Sequence, residues 1–145
     1  MFVRKGARET DVMKDKGAFD MIRILLAEDD QVMREYLTRA LERSGYAVTA
    51  VDRGTAAIPL LENEQFDLLL TDIVMPEMDG IELARRAAEM VPDLRVMFIT
   101  GFAAVTLKAG REMPNARVLS KPFHLRDLVL EVDRMFEFGS ASGLN

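Results

Sequence analysis

Short apolar runs alternate with stretches whose apolar residues recur every three to four positions, and no other feature of the chain restricts its fold as strongly. Strands buried on both faces read as continuous apolar runs, and amphipathic helices between them cover those faces. The pattern therefore specifies repeated βαβ units, a parallel sheet with helices on both sides. Residues 22–27 (IRILLA) form the first strand; Met33, Tyr36, Leu37, Ala40 and Leu41 then make a helical stripe that Gly45 ends. Residues 46–51 alternate like a half-exposed edge strand. Residues 54–63 follow as a helix that Pro59 weakens unless it lies in the first turn.

The third strand is residues 67–71 (DLLLT), followed by the loop PEMDG and a helix over 80–91 that Pro92 terminates. The fourth strand is 95–100. Residues 101–107 are expected to make one or two helical turns, and 108–115 (KAGREMPN) a polar connection to a fifth strand at 116–120. After Pro122 the last helix places Leu125, Leu128, Val129, Val132 and Phe136 on one face. Residues 1–20, with 5 basic and 4 acidic side chains and no periodicity, are expected to be a disordered extension of a single domain over 21–137. Residues 138–145 (FGSASGLN) are expected to be a flexible tail.

Composition narrows the chemistry. The 145 residues suit one domain, and a formal charge of −5 gives nucleic acid or anionic lipid no electrostatic reason to bind. The absence of cysteine removes thiolate sites and disulfides, and a single histidine cannot build a multi-histidine metal site. No apolar run approaches the roughly 20 residues that cross a bilayer, so the cytoplasm is the expected compartment.

In an open parallel sheet the functional crevice lies beyond the carboxyl ends of the strands. Those ends carry Glu28, Asp29 and Asp30 after the first strand, Thr71 and Asp72 at the third, Thr100 and Gly101 at the fourth, and Ser120 and Lys121 at the fifth. Crowded carboxylates repel one another, and a hard divalent cation with oxygen ligands relieves that cost, Mg²⁺ being the natural candidate. A carboxylate can also act as a nucleophile and form an aspartyl phosphate, with the Lys121 ammonium and the Thr100 hydroxyl on the phosphoryl oxygens. The proline in SKPF admits a cis peptide that would fix where the Lys121 amine points.

With its acidic pair after strand one, Asp-x-x-Met-Pro after strand three, Thr after strand four and Lys-Pro after strand five, the chain resembles the receiver domain of bacterial two-component response regulators from residue 22 to about 136. The resemblance implies a flavodoxin-like (CheY-like) α/β fold with a five-stranded parallel sheet in the order 2-1-3-4-5. It also implies phosphorylation of Asp72 by a histidine kinase or histidine phosphotransfer protein. Mg²⁺ would be held by Asp29, Asp72 and the Val74 backbone carbonyl, with Glu28 acting through water, Arg34 placing the acidic pair, and Thr100 and Lys121 binding the phosphoryl group. Such a chain is a phosphoacceptor, with self-phosphorylation and autodephosphorylation as its only chemistry. One departure is Val118, which stands where receivers usually carry the Tyr or Phe of an aromatic switch.

Three stretches, LLLTDIVMPEMDGIELARRA, VMFITGFAAV and VLSKPFHLRDLV, resemble CpdR-type regulators, receivers without an output domain. That likeness implies an adaptor that, unphosphorylated, loads substrates onto the ClpXP protease and is recruited with it to a cell pole. Only nine residues follow Phe136, so output is expected through protein contact, on the face from strand four to helix five that includes the FAAV segment. A phosphate sink or CheY-like shuttle with other partners uses the same acceptor and stays open. A haloacid-dehalogenase-type phosphatase needs a second Asp where Val74 stands, and a dinucleotide site needs a glycine-rich loop where the chain reads EDDQV. His124, after Lys-Pro-Phe, reads as a surface or capping residue.

Overall fold

Alternate residues of the central strands face opposite sides, and both sides are apolar, so these strands need cover above and below. A computed structural model describes residues 21–137 and supplies that cover. Its elements are β1 (Arg23–Ala27), α1 (Gln31–Arg43), β2 (Ala47–Val51), α2 (Gly54–Asn63), β3 (Leu68–Asp72), α3 (Gly80–Met90), β4 (Arg95–Thr100), α4 (Ala103–Glu112), β5 (Arg117–Ser120) and α5 (Leu125–Met135). All pairings are parallel and the order is β2-β1-β3-β4-β5, as the resemblance implied. On one side Ile24, Leu26, Leu68, Leu70, Met97 and Ile99 meet Leu37 and Leu41 of α1 and Leu128 and Val132 of α5. On the other side Leu25, Ala27, Leu69, Val96 and Phe98 meet α2, α3 and Ala109 of α4. Each fully buried Leu, Ile or Phe side chain contributes about 1.5–3 kcal/mol of transfer free energy.

Register carries this packing to the functional edge. Ala27 pairs with Thr71, Asp72 with Ile99 and Thr100 with Ser120, so the strands deliver their last residues to one rim. Two of the helices leaving that rim, α1 and α3, are capped by acids of their own. Asp30 Oδ1 accepts from the Met33 amide at 3.2 Å, and Asp79 Oδ1 from the Glu82 amide at 2.8 Å. At the far end of α1, Gly45 adopts a φ of 98°, the left-handed turn that stops the helix.

The helix expected over 54–63 is present with those bounds, and it runs through Pro59, its sixth residue, beyond the first turn. Proline leaves the Thr55 carbonyl without its helical donor, but the ring is exposed, Ala57 and Leu61 on the other face are buried, and Asn63 Nδ2 donates to the Pro59 carbonyl at 2.8 Å. Residues 108–112, expected in a polar connection, belong to α4. There Ala109 is buried in the core, and Glu112 pairs with Arg85 at 3.1 Å and with Lys108 at 4.0 Å, one turn back. Strand boundaries shift by a residue at β1, β2, β3 and β5, and β2 is the edge strand its alternation predicted. The expectations for residues 1–20 and 138–145 lie outside the described residues.

No helix among the described residues is long and apolar enough to cross a membrane. The proline in α2 leads to a stability prediction. Pro59→Ala should raise stability by about 2 kcal/mol, the roughly 3 kcal/mol penalty of an interior proline less about 1 kcal/mol of unfolded-chain entropy. Urea unfolding should show a higher midpoint at unchanged slope; an equal or lower midpoint contradicts this account of α2.

Candidate metal centre

Glu28 and Asp29 follow directly on β1, Asp72 ends β3, Thr100 ends β4 and Lys121 follows β5. Carboxylate oxygens of Glu28, Asp29 and Asp72 all lie within 4.8 Å of one another. Lys121 Nζ is 3.3 Å from Asp72 Oδ2 and 3.7 Å from Glu28 Oε1, a single ammonium set between two acids. The Lys121–Pro122 peptide is cis. Four of the residues singled out in the sequence, Glu28, Asp29, Asp72 and Lys121, thus converge. Asp30 stays outside as the cap of α1.

Glu28 is fully buried and held on several sides. Its Oε2 accepts from the Asp30 amide at 3.1 Å, and Arg34 Nη1 donates to its main-chain carbonyl at 2.8 Å. Its Oε1 is buried without a hydrogen-bond donor. Burial pushes the Glu28 carboxyl up to about 7; the Asp30 amide opposes that rise, the Asp72 charge adds to it, Lys121 opposes it and Asp29 adds to it. A buried acid with an oxygen that accepts no hydrogen bond and meets only the Lys121 ammonium at 3.7 Å, beside two further carboxylates, is a donor set suited to a hard divalent cation. The residues present therefore fit Mg²⁺.

Thr100 is also buried, and its hydroxyl accepts from the Phe102 amide at 3.1 Å, leaving its own proton to donate. Val74, two residues past Asp72, is half exposed on the loop between β3 and α3. That loop reverses at Glu77, whose φ is 72°, where the Met78 amide donates to the Pro76 carbonyl at 2.8 Å. Val118 packs against the α2, α3 and α4 side of the core as an ordinary strand residue. His124 is the exposed N-cap residue of α5 and makes no side-chain capping bond.

Some neighbours escaped the sequence reading. A cleft of about 280 Å³ beside Asp29 is lined by Asp52, Arg53, Pro76 and Glu77. Arg53 grips Asp52 through two hydrogen bonds of 2.9 and 3.1 Å and holds its carboxyl below the usual range. No motif marks this pair. Asp-Arg-Gly after an edge strand looks like any solvated turn, and only the fold brings it next to Asp29.

The raised carboxyl makes stability depend on pH. Between about 4.5 and 7 the unfolded chain has lost a proton that folded Glu28 retains, so the folded state binds more protons and stability falls as pH rises through that window. Above it this contribution is flat. Urea unfolding in chelator should show that decline, and Glu28→Gln should reduce its slope; identical slopes in the two proteins would contradict the assignment to Glu28.

Comparison with known proteins places this geometry. Residues 24–133 match the response regulator receiver domain. The chain is 65% identical over 116 residues to the response regulator receiver protein CpdR of Brucella abortus (strain 2308), covering 79% of this chain and 97% of that one. It is 34% identical over 136 residues to the sensor kinase CckA of the same organism, covering 90% of this chain and 14% of the kinase. A crystal structure of a response regulator receiver protein from Sinorhizobium medicae WSM419 superposes with a TM-score of 0.74 at 31% identity, over 81% of this chain and 96% of that one. With the matched residues running from β1 into α5 and including the whole acidic rim, the chain belongs to the response regulator receiver domain family.

Proposed function

We propose that the chain is a response regulator phosphorylated on Asp72, and that its phosphorylation state switches protein contacts in the manner of a CpdR-like adaptor of the ClpXP protease. The observation that carries the first part is the convergence of Glu28, Asp29 and Asp72 within 4.8 Å with the Lys121 ammonium 3.3 Å from Asp72. The phosphodonor is the phosphohistidine of a histidine kinase or phosphotransfer protein. An Asp72 carboxylate oxygen attacks phosphorus, an O–P bond forms, the P–N bond breaks, and the imidazole leaves with its electron pair and takes up a proton.

Mg²⁺, when bound by Asp29, Asp72 and the Val74 carbonyl with Glu28 through water, supplies the positive charge that offsets the crowded oxygens of phosphoryl transfer. The chain's own residues do the rest. Lys121 acts as a point charge on a phosphoryl oxygen, while Thr100 donates its hydroxyl proton to another. Arg34 keeps the acidic pair in place through the Glu28 carbonyl. Return of the phosphoryl group to water is the only other reaction, so the protein is a phosphoacceptor and not an enzyme acting on other molecules.

The adaptor part rests on the 65% identity to the Brucella receiver protein CpdR and on the stretches beyond the generic motif. Its contact face runs from β4 to α5. Phe102 is 60% exposed and Leu107 67% exposed there. The Phe102 amide bonded to Thr100 couples that face to the acidic rim without an aromatic residue at position 118. The protein works in the cytoplasm and follows its protease to a cell pole.

Two measurements test these parts separately. With acetyl phosphate as donor, Asp29→Asn should lower the Mg²⁺-dependent labelling rate by about 10²-fold or more; labelling at the wild-type rate would refute the assigned metal role. In a pulldown, unphosphorylated protein and Asp72→Ala should both retain ClpX, and phosphorylated wild type should release it. Retention of ClpX by the phosphorylated form alone would overturn the adaptor reading.

A further inference from the structure

The main-chain carbonyl of Asp72 is held from two directions. Thr71, fully buried on the opposite face of β3 from the Asp72 side chain, donates its hydroxyl to that carbonyl at 2.8 Å. From α3, Gly80 approaches so closely that a Cβ there would lie 2.1 Å from the Asp72 oxygen and 3.0 Å from its carbonyl carbon and from Ile73 Cα. The Gly80 amide closes the arrangement with a 2.8 Å bond to the Ile73 carbonyl. Glycine is required here for room, because the obstructing atoms are backbone and cannot rotate away.

From this contact we infer that Thr71 and Gly80 are positioning residues, which fix the Asp72–Ile73 peptide and thereby aim both the Asp72 carboxylate and the Val74 carbonyl at the same cation. The inference rests on the phosphoacceptor reading above and adds residues that touch neither metal nor phosphate. The Ile73 amide keeps its 3.1 Å bond to the Ile99 carbonyl on β4, so a peptide loosened at the Asp72 carbonyl tilts about that one bond and moves the two oxygen ligands apart, one through Cα of Asp72 and the other through the first residues of the loop. Partners that orient metal ligands typically cost about 10 to 100-fold in metal affinity when removed. Losing one hydrogen bond to a buried carbonyl lies at the lower end of that span.

Thr71→Val keeps the shape and removes the hydroxyl; Thr71→Ser keeps the hydroxyl. Calorimetric titration of the full chain with Mg²⁺ and labelling by acetyl phosphate at saturating Mg²⁺ give two readouts, with thermal unfolding in chelator as a check on the fold. Thr71→Val should bind Mg²⁺ about tenfold more weakly and label more slowly at saturation, and Thr71→Ser should recover to within about twofold of wild type. Gly80→Ala should weaken Mg²⁺ binding at least as much as Thr71→Val. Thr71→Val with wild-type Mg²⁺ affinity, even at a lowered melting temperature, would overturn the inference and leave the phosphoacceptor reading standing. Wild-type protein that neither binds Mg²⁺ nor labels would instead overturn that reading, and the inference with it.

Discussion

Three carboxylates at one rim, two of them sharing one ammonium, set the terms for the rest of this structure. Negative groups within 4.8 Å of one another repel, most where burial removes water, as at Glu28 and Asp72 but not at the exposed Asp29, and Lys121, 3.3 Å from Asp72, offsets only part of that repulsion. The arrangement survives because the sheet beneath it is apolar on both faces and the parallel register leaves the strand ends no other place to go. Stability from the core is spent at the rim. This is a common division of labour in α/β proteins, where the strands supply rigidity and the residues just past them supply chemistry.

How the acids are shared out at that rim also matters. Asp30 and Asp79 lie close in sequence to the clustered carboxylates, yet each turns to a helix amide and is satisfied locally. The cluster is therefore limited to the acids that no backbone donor claims, together with Glu28, one of whose oxygens has a donor and one of which does not. Capping thus does more than start α1 and α3. It separates the acids that stay with the backbone from those left to a cation.

Much of this was legible before any coordinates. The apolar runs located the strands, and the position of Asp72 at the end of LLLTD, ahead of Met-Pro, marked the acid on which the chemistry is proposed. What escaped detection depended on distant contacts. Helix α4 reads as polar from Lys108 onward because its burial is confined to Ala109 and its exposed pairs, such as Arg85 with Glu112, join residues far apart in sequence. Pro59 argued against a helix interior by local rules that the packing of Ala57 and Leu61 overrode. The hold on Asp72 by Thr71 and Gly80 was invisible for a different reason. A threonine in a strand and a glycine opening a helix are ordinary residues until the chain folds back and brings both to one carbonyl oxygen.

Among the helices, α4 has the least anchorage. A single residue of it is buried, its N-cap offers no side-chain bond, and its apolar Phe102 and Leu107 face outward. Elements with so few buried contacts are the ones a folded protein can rearrange at the lowest free-energy cost. The lead-in to this helix is tethered to the Thr100 hydroxyl, so the least buried helix of the scaffold is joined by one hydrogen bond to a side chain at the strand-end rim. Mechanical compliance and the acidic rim therefore meet at one amide.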